Sequence, residues 1–237
     1  MSSLRVWTIV VILYQTVISL IISWYTLSCQ LSPTSTELHE VTLLKLLYLH
    51  DPAACGRVPF YNITMKYNNE SYSTIMWLVR NNMASSFRSK VQLWLCLHAL
   101  WLALSVANIW HGQRHCGFYA AVVPFTVVGV TLLVVDLIYT GLFLQNVPHT
   151  DSQIATLGFM NTSFPGSLRW INRPFPWPLE YVSDEDTTWV SLLFAYISCR
   201  GVVQWIINFW MIKDNYYEGL DAYHRLQKEK SRQRSKA

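Results

Sequence analysis

The sequence predicts an all-α membrane protein: four transmembrane helices joined by two structured extracellular loops. Three observations predict it. Four apolar stretches, Val6–Leu27, Val91–Trp110, Phe118–Leu144 and Trp189–Ile212, each reach the roughly 20 helical residues that a hydrocarbon core requires. Apolar residues make up 52% of the 237-residue chain and charged ones 14%, against about 25% charged in an ordinary soluble domain. The charges are gathered in loops and tail, so Asp136 in the third stretch and Arg200 in the fourth are the only ones inside the spans.

These boundaries define one membrane domain, residues 1–212, with spans 6–27, 91–110, 118–144 and 189–212, loops 28–90 and 145–188, and a basic tail 213–237. No soluble catalytic domain of about 100 residues fits in what remains. The first span begins behind Arg5, as a secretory signal does. It exceeds the roughly 7–15 residues of a signal core, and Leu27-Ser28-Cys29 is a poor cleavage site, so it reads as a retained anchor.

In the first loop, Thr34-Ser-Thr-Glu37 has capping-box spacing ahead of Val41-Thr-Leu-Leu-Lys-Leu-Leu-Tyr-Leu49, which predicts a short amphipathic helix. Its leucine face must bury against the bundle top, the headgroup layer or a partner protein. Cys29 and Cys55 are the only cysteines in the predicted outer loops, and an oxidising compartment favours their pairing in a disulfide. Cys96 and Cys199 read as buried packing residues, and Cys116, beside a span end, as a palmitoylation position.

In the second span Ala99, Ala103 and Ala107 form a small-residue stripe that lets helix backbones approach. In the third, Pro124, Gly129 and Gly141 allow a bend whose freed carbonyl a neighbouring helix can satisfy. The second loop centres on Arg169-Trp-Ile-Asn-Arg-Pro-Phe-Pro-Trp-Pro178, where repeated proline forbids a regular helix and stiffens an irregular surface segment. Trp170, Phe175 and Trp177 are its candidate partner-binding anchors, unless they lie on the membrane or fold back on the first loop. Asp184-Glu-Asp186 then suits the N-terminus of the fourth helix.

Orientation rests on two signals. The tail carries Lys213, Arg225, Lys228, Lys230, Arg232, Arg234 and Lys236, and the link between spans two and three carries Arg114 with His111 and His115, so both faces read as cytoplasmic. The opposite faces carry the glycosylation acceptors Asn62, Asn69 and Asn161. Arg80, Arg88 and Lys90 oppose this, but in a loop of about 60 residues, where loop charge stops controlling topology. Both termini are then inside and both large loops outside.

With spans three and four antiparallel, Asp136 and Arg200 fall at similar depth. A bare ion there costs at least about 2.5–3.5 kcal/mol, so an Asp136–Arg200 contact that sets helix register is expected. A proton or ion pathway would need more polar residues along one face than Gln15, Asn108, Gln204 and Asn208 supply. Trp7, Trp24, Trp94, Trp110, Trp189 and Trp210 cluster near span ends as an aromatic belt.

Catalytic motifs are missing. His111-x3-His115-Cys116 lacks further ligands, and His39 with His50 lacks a third, so no metal site and no cofactor are expected. There is no phosphate loop, nucleophile elbow or zinc-protease helix, and an enzyme is not expected. The basic tail is interrupted by Asp214, Glu218, Asp221 and Glu229, which argues against nucleic acid and for anionic lipid. Tyr217-Glu-Gly-Leu220 and Tyr223-His-Arg-Leu226 have the spacing of tyrosine-based sorting signals, and also a helical spacing that would extend the fourth span along the bilayer surface.

The chain lacks the Trp, Gly-Leu-Trp and paired first-loop cysteines of claudins and the Cys-Cys-Gly of tetraspanins. Its fourth span, Cys199-Arg-Gly-Val-Val-Gln-Trp-Ile-Ile-Asn208, running into Lys213-Asp-Asn-Tyr-Tyr217, resembles that of the insect pasiflora-type four-span proteins, which are claudin-like in outline. The resemblance covers the overall layout and about 20 residues. It implies a non-enzymatic role in assembling a septate junction and paracellular barrier at the lateral plasma membrane, with other junctional membrane proteins or a second copy as partners. The competing expectation is a small transporter, channel subunit or trafficking adaptor of intracellular membranes.

Overall fold

The structure is a computed structural model and describes residues 3–33, 40–67, 70–111, 117–163, 166, 168–170, 180–181, 186–199 and 201–235. It contains four helical stretches long and apolar enough to cross a membrane, Leu4–Leu27, Asn82–Trp110, Phe118–His149 and Thr188–Arg234. The expected four-helix membrane fold is the fold of the chain. The elements form two compact units: Met1–Ile22, Leu93–Tyr139 and Tyr196–Ala237 make a helical unit, and Ser23–Gln92 with Thr140–Ala195 make a second unit that holds most of the two loops.

Helix α1, Ser3–Leu27, is inside out by the standard of a soluble protein. Val6, Trp7, Val10, Leu13, Tyr14, Val17, Leu20 and Ile21 are exposed, whereas Arg5, Thr8, Gln15, Thr16 and Ser19 are buried. In water this arrangement would forfeit the hydrophobic driving force at about 25 cal/mol per Å² of apolar surface. Surrounded by lipid, it places the apolar face against acyl chains and the polar face where other helices can bond to it.

Helix α4 runs Asn82–His111, starting before Val91 where the apolar stretch begins. Ala99 and Ala103 lie on its exposed face, so the alanine stripe does not make the packing surface of the helical unit. The inward face carries Trp94, His98, Trp101, Ser105 and Asn108 instead, at three- and four-residue steps. Cys96 is also exposed, against the expected burial, while Cys199 is buried as expected. Trp7, Trp24, Trp110, Trp189 and Trp210 are exposed as belt residues should be, but Trp94 is buried and belongs to the interior.

The third span opens with a wide π turn, Phe118–Val122, and continues as α5, Val123–Asn146. Pro124 sits just past the junction. It has no amide hydrogen to give the preceding turn, and a wide turn at that place accommodates the missing bond. The core of the helical unit gathers Ile12, Trp101, Phe125, Leu132, Met211 and Ile212, with Trp101 stacked on Phe125 at 5.8 Å. Gly129 permits this closeness, because a Cβ there would meet Ile212 Cδ1 at 2.7 Å.

The fourth span differs from expectation in being two helices, α7 (Thr188–Ser198) and α8 (Val202–Arg234), separated at Gly201. Gly201 has φ 77°, a left-handed value that glycine tolerates without a Cβ penalty. The interruption keeps its bonds: Gly201 N–H donates to the Tyr196 carbonyl at 3.1 Å, and Trp205 N–H to the Gly201 carbonyl at 3.1 Å. Helix α8 carries the tail without a further break as far as Arg234.

The second unit begins with Glu40–Leu44 (α2), which widens into a π turn over Lys45–Leu49, where the amphipathic helix is expected. Leu43, Leu44, Leu46 and Leu47 are all buried within the chain. The expected capping box, residues 34–37, lies outside the described residues. A short helix α3 (Pro52–Cys55) follows, capped by Asp51, whose carboxylate accepts from Ala53 N–H at 3.0 Å. Strands β1 (Pro59–Tyr67) and β2 (Glu70–Leu78) form an antiparallel hairpin with an irregularity between Phe60 and Ile63. From the second loop come α6 (Gln153–Ser163), β3 (Leu168–Trp170) and β4 (Glu180–Tyr181). The sheet order is β3-β2-β1-β4, so the second loop adds a strand to each edge of the first loop's hairpin. This sheet and helix α6 are additions that the apolar pattern of the spans gives no sign of.

Candidate functional site

Two constructions stand out, one in each unit. In the helical unit, α1 and α8 run antiparallel along a polar seam. Arg5 Nε lies 3.3 Å from Glu218 Oε1, and Asn215 Nδ2 donates to Thr8 Oγ1 at 2.8 Å. Gln15 Nε2 donates to Asn208 Oδ1 at 2.8 Å, and Asn208 Nδ2 returns a bond to Gln15 Oε1 at 3.1 Å. Gln204 Nε2 adds a longer bond to Asn208 Oδ1 at 3.4 Å. Each advance of one or two turns along α1 matches the same retreat along α8, with Ile12 and Met211 filling the apolar interval in the core. Of the four polar residues set aside as too few for a conduit, Gln15, Gln204 and Asn208 thus form a hydrogen-bonded contact between two helices, while Asn108 lies on α4 outside it.

Asp136 is fully buried and accepts a hydrogen bond from Trp94 Nε1 at 3.0 Å. His98, also fully buried, donates from Nδ1 to the Trp94 carbonyl at 2.8 Å and meets the Trp94 ring edge to face. Arg200 lies outside the described residues, and the expected Asp136–Arg200 contact with it. The indole partner of Asp136 escaped the sequence reading, which assigned Trp94 to the belt. Its signal was the pattern Trp94, His98, Trp101, which keeps polar-tipped rings on one face of α4. Trp101 Nε1, Ser105 Oγ and Asn108 Oδ1 continue that face as buried atoms without a hydrogen-bond partner among the described residues.

In the second unit the expected Cys29–Cys55 disulfide is present, with Cα atoms 5.6 Å apart. It sits where α1 ends, Cys29 adopting φ 60°. A left-handed residue is a common way to end a helix, although a side chain makes it costlier than glycine. Arg88 then completes the end. Its Nη1 donates to the Thr26 carbonyl and its Nη2 to the Leu27 carbonyl, both at 2.9 Å, and Nη1 lies 3.6 and 3.5 Å from the sulfurs of Cys29 and Cys55. The guanidinium satisfies helix-end carbonyls and meets the negative end of the helix dipole. The Arg88 charge that runs against the positive-inside pattern is held by this structural contact.

Asn81 performs a similar task ahead of α4. Its Oδ1 accepts from Ala84 N–H at 3.1 Å, while Nδ2 reaches the carbonyls of Leu46, Leu47 and His50. Tyr48 packs among Phe143 at 5.3 Å and Phe194 at 5.0 Å, with Phe87 beside both phenylalanines. Burial pushes the Tyr48 hydroxyl above its ordinary range, with bonds to Ser191 and Asn146 opposing. Thr150 links this layer onward through Ser191 at 2.6 Å, and Thr187 donates to the Thr150 carbonyl. At the start of α7, Asp186 accepts from Thr188 N–H at 2.9 Å and its carboxyl is held below the usual range by bonds from Thr188.

The remaining predicted residues are scattered. Asn62 lies in β1, Asn161 in α6, and Asn69 outside the described residues. Trp170 is in β3, paired with Met76, while Phe175 and Trp177 fall outside the described residues. Tyr217, Leu220, Tyr223 and Leu226 lie within α8. Tyr217 is exposed, whereas the Tyr223 ring stacks on Phe118 at 5.1 Å. His39 lies outside the described residues, and His50 bonds to Ser32 Oγ at 3.2 Å. Among the described residues no group of three His, Cys, Asp or Glu side chains is placed to hold a metal ion.

Four membrane-length helices, an inside-out α1 and a disulfide between loop residues define a multi-pass, four-span membrane protein. Compared with known proteins, the chain matches no family model, no curated protein and no solved structure.

Proposed function

We propose that this is a non-enzymatic four-span protein of the lateral plasma membrane that helps assemble a septate-type cell-cell junction, its two loops forming the adhesive surface. One observation carries the reading: strands of the second loop flank the hairpin of the first in a single sheet. A sheet that joins separate loops holds contact residues at fixed spacing, as recognition requires. The disulfide favours an oxidising side for these loops, and the basic tail and three sequons agree. The resemblance of the fourth span to pasiflora-type proteins supplies the junctional context.

The test is to express the tagged protein in a polarised epithelium and remove it from a tissue with septate junctions. Lateral junction staining and tracer leakage between cells are expected, with three sequon substitutions, Asn62→Gln, Asn69→Gln and Asn161→Gln, each shortening the glycosylated form. Vesicular staining with an intact barrier would move the protein to the trafficking class. Loss of uptake of a solute in Asp136→Asn, with surface expression intact, would move it to the transporters.

A further inference from the structure

A cleft of about 360 Å³ opens at the base of the tail helix, lined by Arg5, Glu218, Asp221, Ala222, Arg225 and Leu226. Its depth follows from the helical unit. Phe118, the first residue of the third span, packs on Tyr216 at 6.0 Å and on Tyr223 at 5.1 Å. Arg5 is the second residue of the first membrane-length helix, Leu4–Leu27, and faces Glu218. Both spans therefore start level with residues 216–223, and the cleft opens in the headgroup layer, about 5–7 Å deep on each face of a bilayer.

The lining is peculiar in its charges. Arg5 is 6% exposed, and its contact with Glu218 uses one of the five N–H groups of a guanidinium. Arg225 and Asp221 stand on the exposed side of α8. Two cations and two carboxylates thus share one small space. A ligand of single sign would be attracted by one pair and repelled by the other, whereas an anion with a cation on a short tether satisfies both. In a headgroup layer that ligand is a phosphodiester carrying an ammonium group. Quaternary ammonium is recognised by aromatic rings, and none lines this cleft. Carboxylates call for N–H donors, which a primary ammonium has.

We infer that the cleft binds the headgroup of an ethanolamine phospholipid, the phosphodiester oxygens accepting from Arg5 and Arg225 and the ammonium donating to Glu218 and Asp221. Ala222 and Leu226 supply the apolar wall.

The test uses the full-length protein in detergent, loaded separately with phosphatidylethanolamine, phosphatidylcholine or phosphatidylglycerol, with retained lipid counted by native mass spectrometry. Phosphatidylethanolamine should be retained about tenfold over the other two, the scale of one charge-assisted hydrogen bond. The double variant Asp221→Asn, Arg225→Gln should lower that retention to the level of phosphatidylcholine while leaving the disulfide and the melting temperature unchanged. Soluble glycerophosphoethanolamine should displace the lipid at millimolar concentration. Equal retention of all three lipids, or full retention in the double variant, overturns the site. Binding of glycerophosphoethanolamine tighter than the lipid would reassign it to a soluble phosphodiester.

Discussion

Gln15 and Asn208 face one another with both amides used in both directions, Gln15 Nε2 to Asn208 Oδ1 at 2.8 Å and Asn208 Nδ2 to Gln15 Oε1 at 3.1 Å. Inside a bilayer such a pair has one partner geometry and no water to replace it, so it sets the register of α1 against α8. Hydrogen bonds of this kind average about 0.6 kcal/mol and reach about 1.7 kcal/mol in membrane proteins.

Replacing one partner removes both bonds of the pair from the amide that stays buried. Gln15→Leu or Asn208→Leu should each lower stability by about 1–2 kcal/mol. The Gln15→Leu, Asn208→Leu double variant should lose less than the two single losses together. A double-mutant cycle on unfolding in detergent measures the coupling; additive losses would show that the pair does not act as a unit.

Arg88 ties the end of α1 to the disulfide. Arg88→Ala strips donors from the Thr26 and Leu27 carbonyls and should cost about 1–3 kcal/mol. Arg88→Lys should recover part of it, since one ammonium cannot reproduce the two-pronged contact. The companion measurement is the rate at which a reductant opens Cys29–Cys55, which should rise in both variants and most in Arg88→Ala.

His50 gives the second unit a pH dependence. Burial pushes its imidazole below the ordinary value of 6.5; the Gly56 carbonyl and Asp51 oppose this, and Arg88 adds to it. As pH falls below about 6.5 the unfolded chain takes up the proton first, so stability is full at neutral pH and declines down to the lowered native value. Melting temperatures should therefore drop from pH 7.5 to pH 5.5, and His50→Gln should flatten that part of the decline.

Gly219 lies where α8 meets the π turn of the third span. A Cβ there would fall 2.7 Å from Val122 Cγ1 and 2.9 Å from Cγ2, and a β-branched side chain has little freedom to move aside. Gly219→Ala should cost about 1–3 kcal/mol through overpacking. Val122→Ala in the same chain should restore part of it, which thermal unfolding of the single and double variants beside the parent chain would show.

Much of the fold was legible because lipid imposes a length and a polarity on each span. The four stretches, the short leucine-rich helix and the Cys29–Cys55 bridge all follow from local pattern and compartment chemistry. The α1–α8 seam was half legible: Arg5, Thr8, Gln15 and Ser19 share one face of α1, which a helical wheel displays. Their partners, 193 residues along the chain for Gln15 and Asn208, were not. The hairpin left a trace in the strict apolar-polar alternation of Tyr61-Asn-Ile-Thr-Met-Lys-Tyr67, but the sheet stayed hidden because its edge strands, of 3 and 2 residues, come from the other loop.

By itself, the sequence determined that this chain lives in a membrane with four spans, because burying its apolar stretches in hydrocarbon satisfies them one helix at a time. Tertiary structure decided what each polar residue is for. Trp94 left the interface for Asp136, Arg88 became a helix cap, the alanine stripe of α4 turned outward, and Gly201 divided the last span. These outcomes depend on which acceptor lies within about 3 Å, a distance that packing of remote segments sets and that no local pattern contains.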